Sequence, residues 1–295
     1  MTGLTQRMAD VAEAVTLELS RLIEPVPGPR GRVIEAMRYA ALGGGKRLRP
    51  FLVVASADLF DVERARSLRT AAAVEMVHSY SLIHDDLPAM DDADIRRGRP
   101  SVHREFDEAT AILAGDGLLT ESFAVLAHPD THPDANVRVR LVLELSAAAG
   151  VAGMVGGQMI DIAPERTGLD LAGIGELQRL KTGALIKFSC SAGAVLGAAE
   201  EWQIAALGAY ADKLGLAFQI VDDLLDSEGS EAEIGKPTGQ DESKDKATFV
   251  KLLGREGARR KARDLAEEAK SSLARFGARV SPLCDVAKFV VDRRS

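Results

Sequence analysis

Apolar positions recur along this chain at a helical interval rather than a strand interval. In Thr70–His84 the apolar Val74, Val77, Leu82 and Ile83 fall near the spacing of a 3.6-residue turn. Ala109–Ala127, Val137–Val155, Ile174–Leu196 and Trp202–Leu225 read the same way. Several of these are apolar nearly all round, which predicts helices at the centre of a bundle rather than on its surface. Alanine is abundant and aromatic residues make up only 4%, a balance that favours helix over strand. No strand–helix alternation, glycine-rich nucleotide motif or solenoid-length repeat is present. The pattern predicts an all-α bundle forming a single domain over residues 1–295.

Three stretches interrupt the pattern. Pro25–Arg32 reads as a turn between helices, and His128–Asn136 as a polar connector with two prolines. Ser227–Thr248 is long, charged and glycine-bearing, and loops of that length inside compact domains often act as lids. The length of 295 residues allows one large or two ordinary domains, and no composition shift marks a boundary. With 46% hydrophobic residues the chain can bury a substantial core. The 37 Lys+Arg against 44 Asp+Glu leave a net charge of −7, which argues against a nucleic-acid partner. Cys190 and Cys284 form no metal-binding or redox pair, so a reducing cytoplasm fits. Met1–Val15 lacks the apolar core of a signal peptide, and no run of about 18 apolar residues predicts a membrane span.

Acid stands at the ends of two otherwise apolar helices. His84-Asp85-Asp86-Leu87-Pro88-Ala89-Met90-Asp91-Asp92 closes the first. On an unbroken helix Asp85 and Asp92 would be nearly eclipsed, but Pro88 removes an N–H and crowds the carbonyl of His84, so a local bulge could turn Asp91 toward Asp85. In the second, Gln219, Asp222, Asp223 and Asp226 fall at i, i+3, i+4 and i+7 and should share one face. Clustered carboxylates repel unless a cation compensates. Sets without His or Cys suit Mg²⁺, which takes one or two carboxylates plus water and substrate phosphates.

Basic residues complete the chemistry. Gly43-Gly44-Gly45-Lys46-Arg47-Leu48-Arg49 joins a backbone able to approach an anion closely to side chains able to clamp phosphate. Arg96 and Arg97 follow the first acid cluster, where they either offset its charge or grip a phosphate. Lys181 lies in an apolar helix, where a lysine is costly without an anion. Lys236 and Lys246 sit in the long loop. Acids for metal, bases for phosphate and apolar walls imply a substrate with a diphosphate head and a hydrocarbon tail.

In this order the motifs resemble the short-chain trans-polyprenyl diphosphate synthases, most closely the bacterial farnesyl type. The resemblance runs through GGGKRLRP, Glu75–His103, LAGDGLL, GGQMID, KTG, FQIVDDLLD and the lysine-bearing loop. It implies an isoprenoid-synthase bundle around a central apolar cavity, a homodimer, and three Mg²⁺ ions bridging both acid clusters to an allylic diphosphate. By motif match Asp85, Asp91 and Asp222 would be metal ligands, with Asp86, Asp223 and Asp226 in support. Lys46, Arg49, His78 and Arg97 match residues that hold isopentenyl diphosphate; Arg96, Lys181, Thr182, Gln219, Lys236 and Lys246 match contacts to the allylic partner. Oxygen dipoles at Lys181, Thr182 and Gln219 would steady an allylic cation.

Tyr80, with Ser81 beside it, looks like the floor that stops growth at fifteen carbons. The lysine loop departs from the family pattern, with Asp245 where glycine is usual, and Arg293-Arg294 reads as a fraying terminus although basic tails cover the site in relatives. Alternatives are a geranylgeranyl diphosphate synthase, which a residue smaller than Tyr80 would favour, and a non-catalytic partner subunit, from which acids or bases would be missing. A terpene cyclase needs no second allylic-acceptor site, and a plain Ca²⁺- or Mg²⁺-binding protein leaves the basic set unexplained.

Overall fold

The computed structural model describes residues 2–163, 168–228 and 248–293. Its helices are α1 (Thr2–Leu22), α2 (Gly31–Ala41), α3 (Leu48–Ala57), α4 (Arg64–Asp85), α5 (Val102–Glu105), α6 (Glu108–Ala127) and α7 (Ala135–Ala149). After them come α8 (Met154–Ile162), α9 (Leu171–Gln178), α10 (Ala184–Leu196), α11 (Glu201–Glu228), α12 (Phe249–Ser272) and α13 (Ser281–Asp292). The centre of the bundle is α4 against α3 and α6, with α10 against α3, α7 and α11. The all-round apolar character has its cause here: Ala71–Val74, Met76 and Val77 of α4 are wholly buried, as are Cys190, Ala192 and Ala194 of α10. Asp107 caps α6 by accepting the amide of Thr110, and Arg32 together with these bonds holds its carboxyl down to about 2.

Two expected helices are broken. Val137–Val155 is cut at 150–153, where Gly150 takes an extended backbone after α7 and Gly153 precedes α8. Ile174–Leu196 holds a π-helical turn, Arg179–Gly183, between α9 and α10. One small sheet departs from the all-helical expectation: β1 (Ile95–Arg96) pairs antiparallel with β2 (Arg99–Pro100) through a two-residue turn whose Arg97 and Gly98 both have positive φ. Three helical stretches, 108–127, 135–162 and 201–227, are long and apolar enough to cross a bilayer by length and composition, and up to 44% of each is buried in the bundle. Length and composition alone therefore do not exclude a span, contrary to the expectation drawn from the apolar runs.

Arg47 enters α3 through a left-handed turn and sends its guanidinium into the core. There it pairs with Glu75 of α4 and donates to the carbonyl of Ala41, and both charged residues are almost wholly buried. Removing one partner of such a pair leaves the other charge buried and uncompensated, which costs about 3–5 kcal/mol. Glu75→Gln should lower the unfolding free energy by that order in urea titrations. Glu256→Gln, at an exposed helical pair with Arg259, should change it by less than about 1 kcal/mol. Equal effects would show that the buried pair does not support the bundle.

Candidate active site

The first acid tip is a helix end. α4 stops at Asp85, so Pro88 sits in the following turns instead of kinking the helix. The expected eclipse of Asp85 and Asp92 is absent, because Asp92 has positive φ in the chain reversal and lies 3.6 Å from Arg104. The reversal brings Asp91 back instead, its amide donating to the carbonyl of Asp85 at 2.9 Å. Burial pushes the Asp85 carboxyl up, and Asp91 and Asp86 add to this against the opposing pull of Lys181 and Arg96. Burial likewise raises Asp86 in spite of its clasp by Arg96, whose Nε lies 3.0 and 3.1 Å from its two oxygens.

The second tip is the C-terminal part of α11. Gln219 Nε2 lies 3.5 Å from Asp222 Oδ2, and Asp226 is one turn further on. Asp223 does not share their outlook. It is buried and accepts the amide of Phe249 at 2.8 Å, so it ties α11 to the start of α12. Asp222 is paired with Arg293, which also donates to the Phe218 carbonyl at 3.0 Å and stacks 3.9 Å over the Phe218 ring. Arg293 is only 7% exposed, so the expectation of a fraying terminus fails at this residue; Arg294 lies outside the described residues.

Cations surround the tips. Gly44 and Gly45 have positive φ, a backbone that glycine adopts without strain, and Arg97 donates to the Gly44 carbonyl. This joins the glycine loop to the β1–β2 turn. Arg49 reaches His78 of α4, Nη1 to Nε2 3.5 Å. Burial lowers His78 well below its ordinary range, and Arg49, Arg97, Arg96 and Arg47 push it the same way. Burial lowers Lys46, Arg293 adds to this, and Asp222 opposes it.

Lys181 belongs to the π turn and donates to Asp161 Oδ2 of α8 at 2.7 Å. A side chain at Gly157 would stand 2.2 Å from the Lys181 amide, so only glycine permits this contact. The motif GGQMID thus seats the π turn through Gly157 and holds its lysine through Asp161. Thr182 follows, nearly buried.

Two hollows meet here. A cavity of about 370 Å³ is lined by Asp85, Tyr80, Ser81, Lys181, Thr182 and apolar residues including Met154 and Met159. A smaller one, about 190 Å³, is lined by Lys46, Arg97, Phe218 and Arg293. Arg49 and His78 border both. Burial opposes the Arg49 charge, while Glu75 and Asp222 favour it, so the second tip acts on the shared wall. Lys236 and Lys246, with the expected lid, lie outside the described residues.

Among the described residues no three His, Cys, Asp or Glu side chains converge into a metal cage. Carboxylates spread on two helix ends, with Asp85 desolvated and crowded by like charge, fit an ion that completes its shell with water and phosphate. Asp161 and Glu75 were given no role by the sequence, although both stand inside recognised motifs, and Arg293 was read as fraying rather than as a cover for the site.

Because the fold raises the Asp85 pKa, its ionised form costs stability above that pKa, and the cost fades as pH falls and the carboxyl protonates. Asp85→Asn should therefore raise the melting temperature at pH 7 in EDTA while depressing turnover. A lower melting temperature would contradict the assigned desolvation.

Residues 31–276 match the polyprenyl synthetase family. The chain is 44% identical to the farnesyl diphosphate synthase of Escherichia coli, covering 98% of each. It is 41% identical to a chloroplastic geranylgeranyl pyrophosphate synthase of Arabidopsis thaliana, covering 88% of this chain and 74% of the relative. The crystal structure of an FPP/GFPP synthase from Zymomonas mobilis superposes with a TM-score of 0.90 at 44% identity, covering 98% of this chain and 99% of that one. With the acid tips, the basic loops and the cavity between them, these likenesses identify the chain as a member of the polyprenyl synthetase family.

Proposed function

We propose that the chain condenses isopentenyl diphosphate with dimethylallyl or geranyl diphosphate to give (2E,6E)-farnesyl diphosphate. The observation that carries this reading is the pair of hollows sharing Arg49 and His78: one is rimmed by bases, the other runs from Asp85 past apolar walls to Tyr80. Lys46, Arg49, His78 and Arg97 hold the isopentenyl diphosphate. Arg96, Lys181, Thr182 and Gln219 face the allylic partner, with Lys236 and Lys246 contributing from the loop.

Asp85, Asp91 and Asp222 would hold Mg²⁺, with Asp86 and Asp226 in support, while Asp223 anchors α11 to α12 instead. When bound, the metal supplies positive charge against the departing diphosphate. Arg96 and Lys181 add to that field without reorganising, because Asp86 and Asp161 already orient them. The C–O bond breaks with its electron pair on the diphosphate. The double bond of isopentenyl diphosphate attacks the allylic carbon while the oxygens of Thr182, Gln219 and the Lys181 backbone steady the cation. The released diphosphate takes the proton. Apolar walls keep water from the cation. Tyr80, 6% exposed, closes the cavity and sets a fifteen-carbon product, with Ser81 at its side.

The protein works in the cytoplasm, without a membrane span or nucleic acid, as a homodimer. Support for the dimer comes from large apolar side chains facing outward on consecutive elements: Leu113 of α6, Val139 and Leu143 of α7, and Val151, each at least 54% exposed. Light scattering should give twice the chain mass, and Leu143→Glu should shift it to the monomer; a monomeric parent protein would end this proposal.

Incubation with Mg²⁺, isopentenyl diphosphate and geranyl diphosphate, followed by dephosphorylation and chromatography, should yield mainly the C15 alcohol. EDTA should abolish the product. Asp85→Ala and Asp222→Ala should each lose at least about a hundredfold in rate, and Tyr80→Ala should give longer products. A C20 alcohol from the parent enzyme would replace the reading by a geranylgeranyl synthase, and no condensation at all would leave a binding subunit.

A further inference from the structure

We infer that His84 and Gly115 form a product-length determinant, a gauge in which the imidazole, seated in a notch on α6, fixes the Tyr80 ring at the end of the cavity. The inference rests on the reading of Tyr80 as the cavity floor. His84 lies one turn after Tyr80 on α4, and the two rings meet edge to face, centroids 5.6 Å apart at 82°. Both rings line the same cavity. On its other side the imidazole is pressed into α6: Nε2 lies 3.1 Å from the Ile112 carbonyl and 3.9 Å from Asp116 Oδ1.

The notch exists because residue 115 has no side chain. A Cβ there would stand 2.1 Å from His84 Nε2 and 2.5 Å from Cδ2, closer than real contacts permit. Gly115 is itself buried within α6, so its backbone offers the ring little room to yield. The histidine therefore stands between α6 and the cavity and packs against the tyrosine from the α6 side. An edge-to-face pair is favourable beyond area burial, so the contact biases the Tyr80 ring toward this rotamer.

Two substitutions should move product length in opposite directions. His84→Ala removes that packing, lets the Tyr80 ring swing toward α6, and deepens the cavity. The C20:C15 ratio, measured at equal substrate consumption, should rise by about tenfold or more, within the range that a lost steric contact in an apolar pocket supplies. Gly115→Ala drives the imidazole off α6 into the cavity, so the C10:C15 ratio should rise by a similar factor. A helix-packing role alone would lower rate or stability and leave both ratios where they are.

Tyr80→Ala run in parallel separates the two levels of the argument. If it lengthens the product while His84→Ala and Gly115→Ala keep the parent ratios, the gauge is wrong and the floor stands. If none of the three variants changes the ratios, the floor itself is wrong and the gauge falls with it. Should His84→Ala fail to fold, the Gly115→Ala ratio decides alone: a shift to C10 upholds the gauge, and an unchanged ratio overturns it.

Discussion

Carboxylates that hold a divalent cation and guanidiniums that hold phosphate attract one another, so a site that needs both must keep them from collapsing into mutual pairs. In this chain the groups are mounted on separate rigid elements and several cations have a fixed partner, although Arg293 does pair with Asp222 of the second tip. Arg47 is bound by Glu75 in the core, Lys181 by Asp161 on α8, and Arg96 by Asp86 at the first tip. These bonds fix orientation while leaving the positive field directed at the hollow. They also leave Asp85 in a desolvated place among like charges, a position that disfavours its ionised form. A bound cation would relieve that cost, so any affinity of the tip for metal would share its origin with the instability.

The backbone supplies part of the same design. A π turn at Arg179–Gly183 breaks the regular ladder between α9 and α10, and the residue that carries the cation, Lys181, lies within it. The irregularity is held by α8, whose Gly157 allows backbone to meet backbone. α8 therefore contributes a brace through glycine, an anion through Asp161 and an apolar wall through Val155 and Met159 of the same cavity. A motif that carries no reacting group is thus as constrained as one that does.

The helical periodicity, the acid clusters and the basic loops were legible along the chain because each is a local pattern. Asp91 turning back toward Asp85 was also foreseeable, since proline makes a continued helix expensive. What could not be read were outcomes of packing between distant segments. The break at 150–153 and the π turn lie in sequences whose apolar spacing suits an unbroken helix. Asp223 has the same spacing as its neighbours, yet only the approach of Phe249 decides that it serves as an anchor. Arg293 carries only the weak signal of a basic C-terminal pair, because its contacts depend on α13 bringing the end of the chain over Phe218. Family likeness located the cluster residues; the partners that orient them came from the fold.

Product length is where rigidity and specificity meet. Tyr80 and Asp85 ride on one helix, five residues apart, so a floor at Tyr80 would stand about 7.5 Å along the axis from the acid tip, a spacing no loop movement would alter. Moving a blocking side chain one turn toward the N-terminus of α4 would deepen the cavity by about 5.4 Å without touching the metal or phosphate residues. Relatives named for longer products, such as the Arabidopsis synthase at 41% identity, can then share the fold and the charged machinery while differing in the ruler. The ruler is only as sharp as its mark is fixed. A tyrosine free to change rotamer would blur the product, which is why the surroundings of the ring, and not its size alone, belong to the specificity of the site.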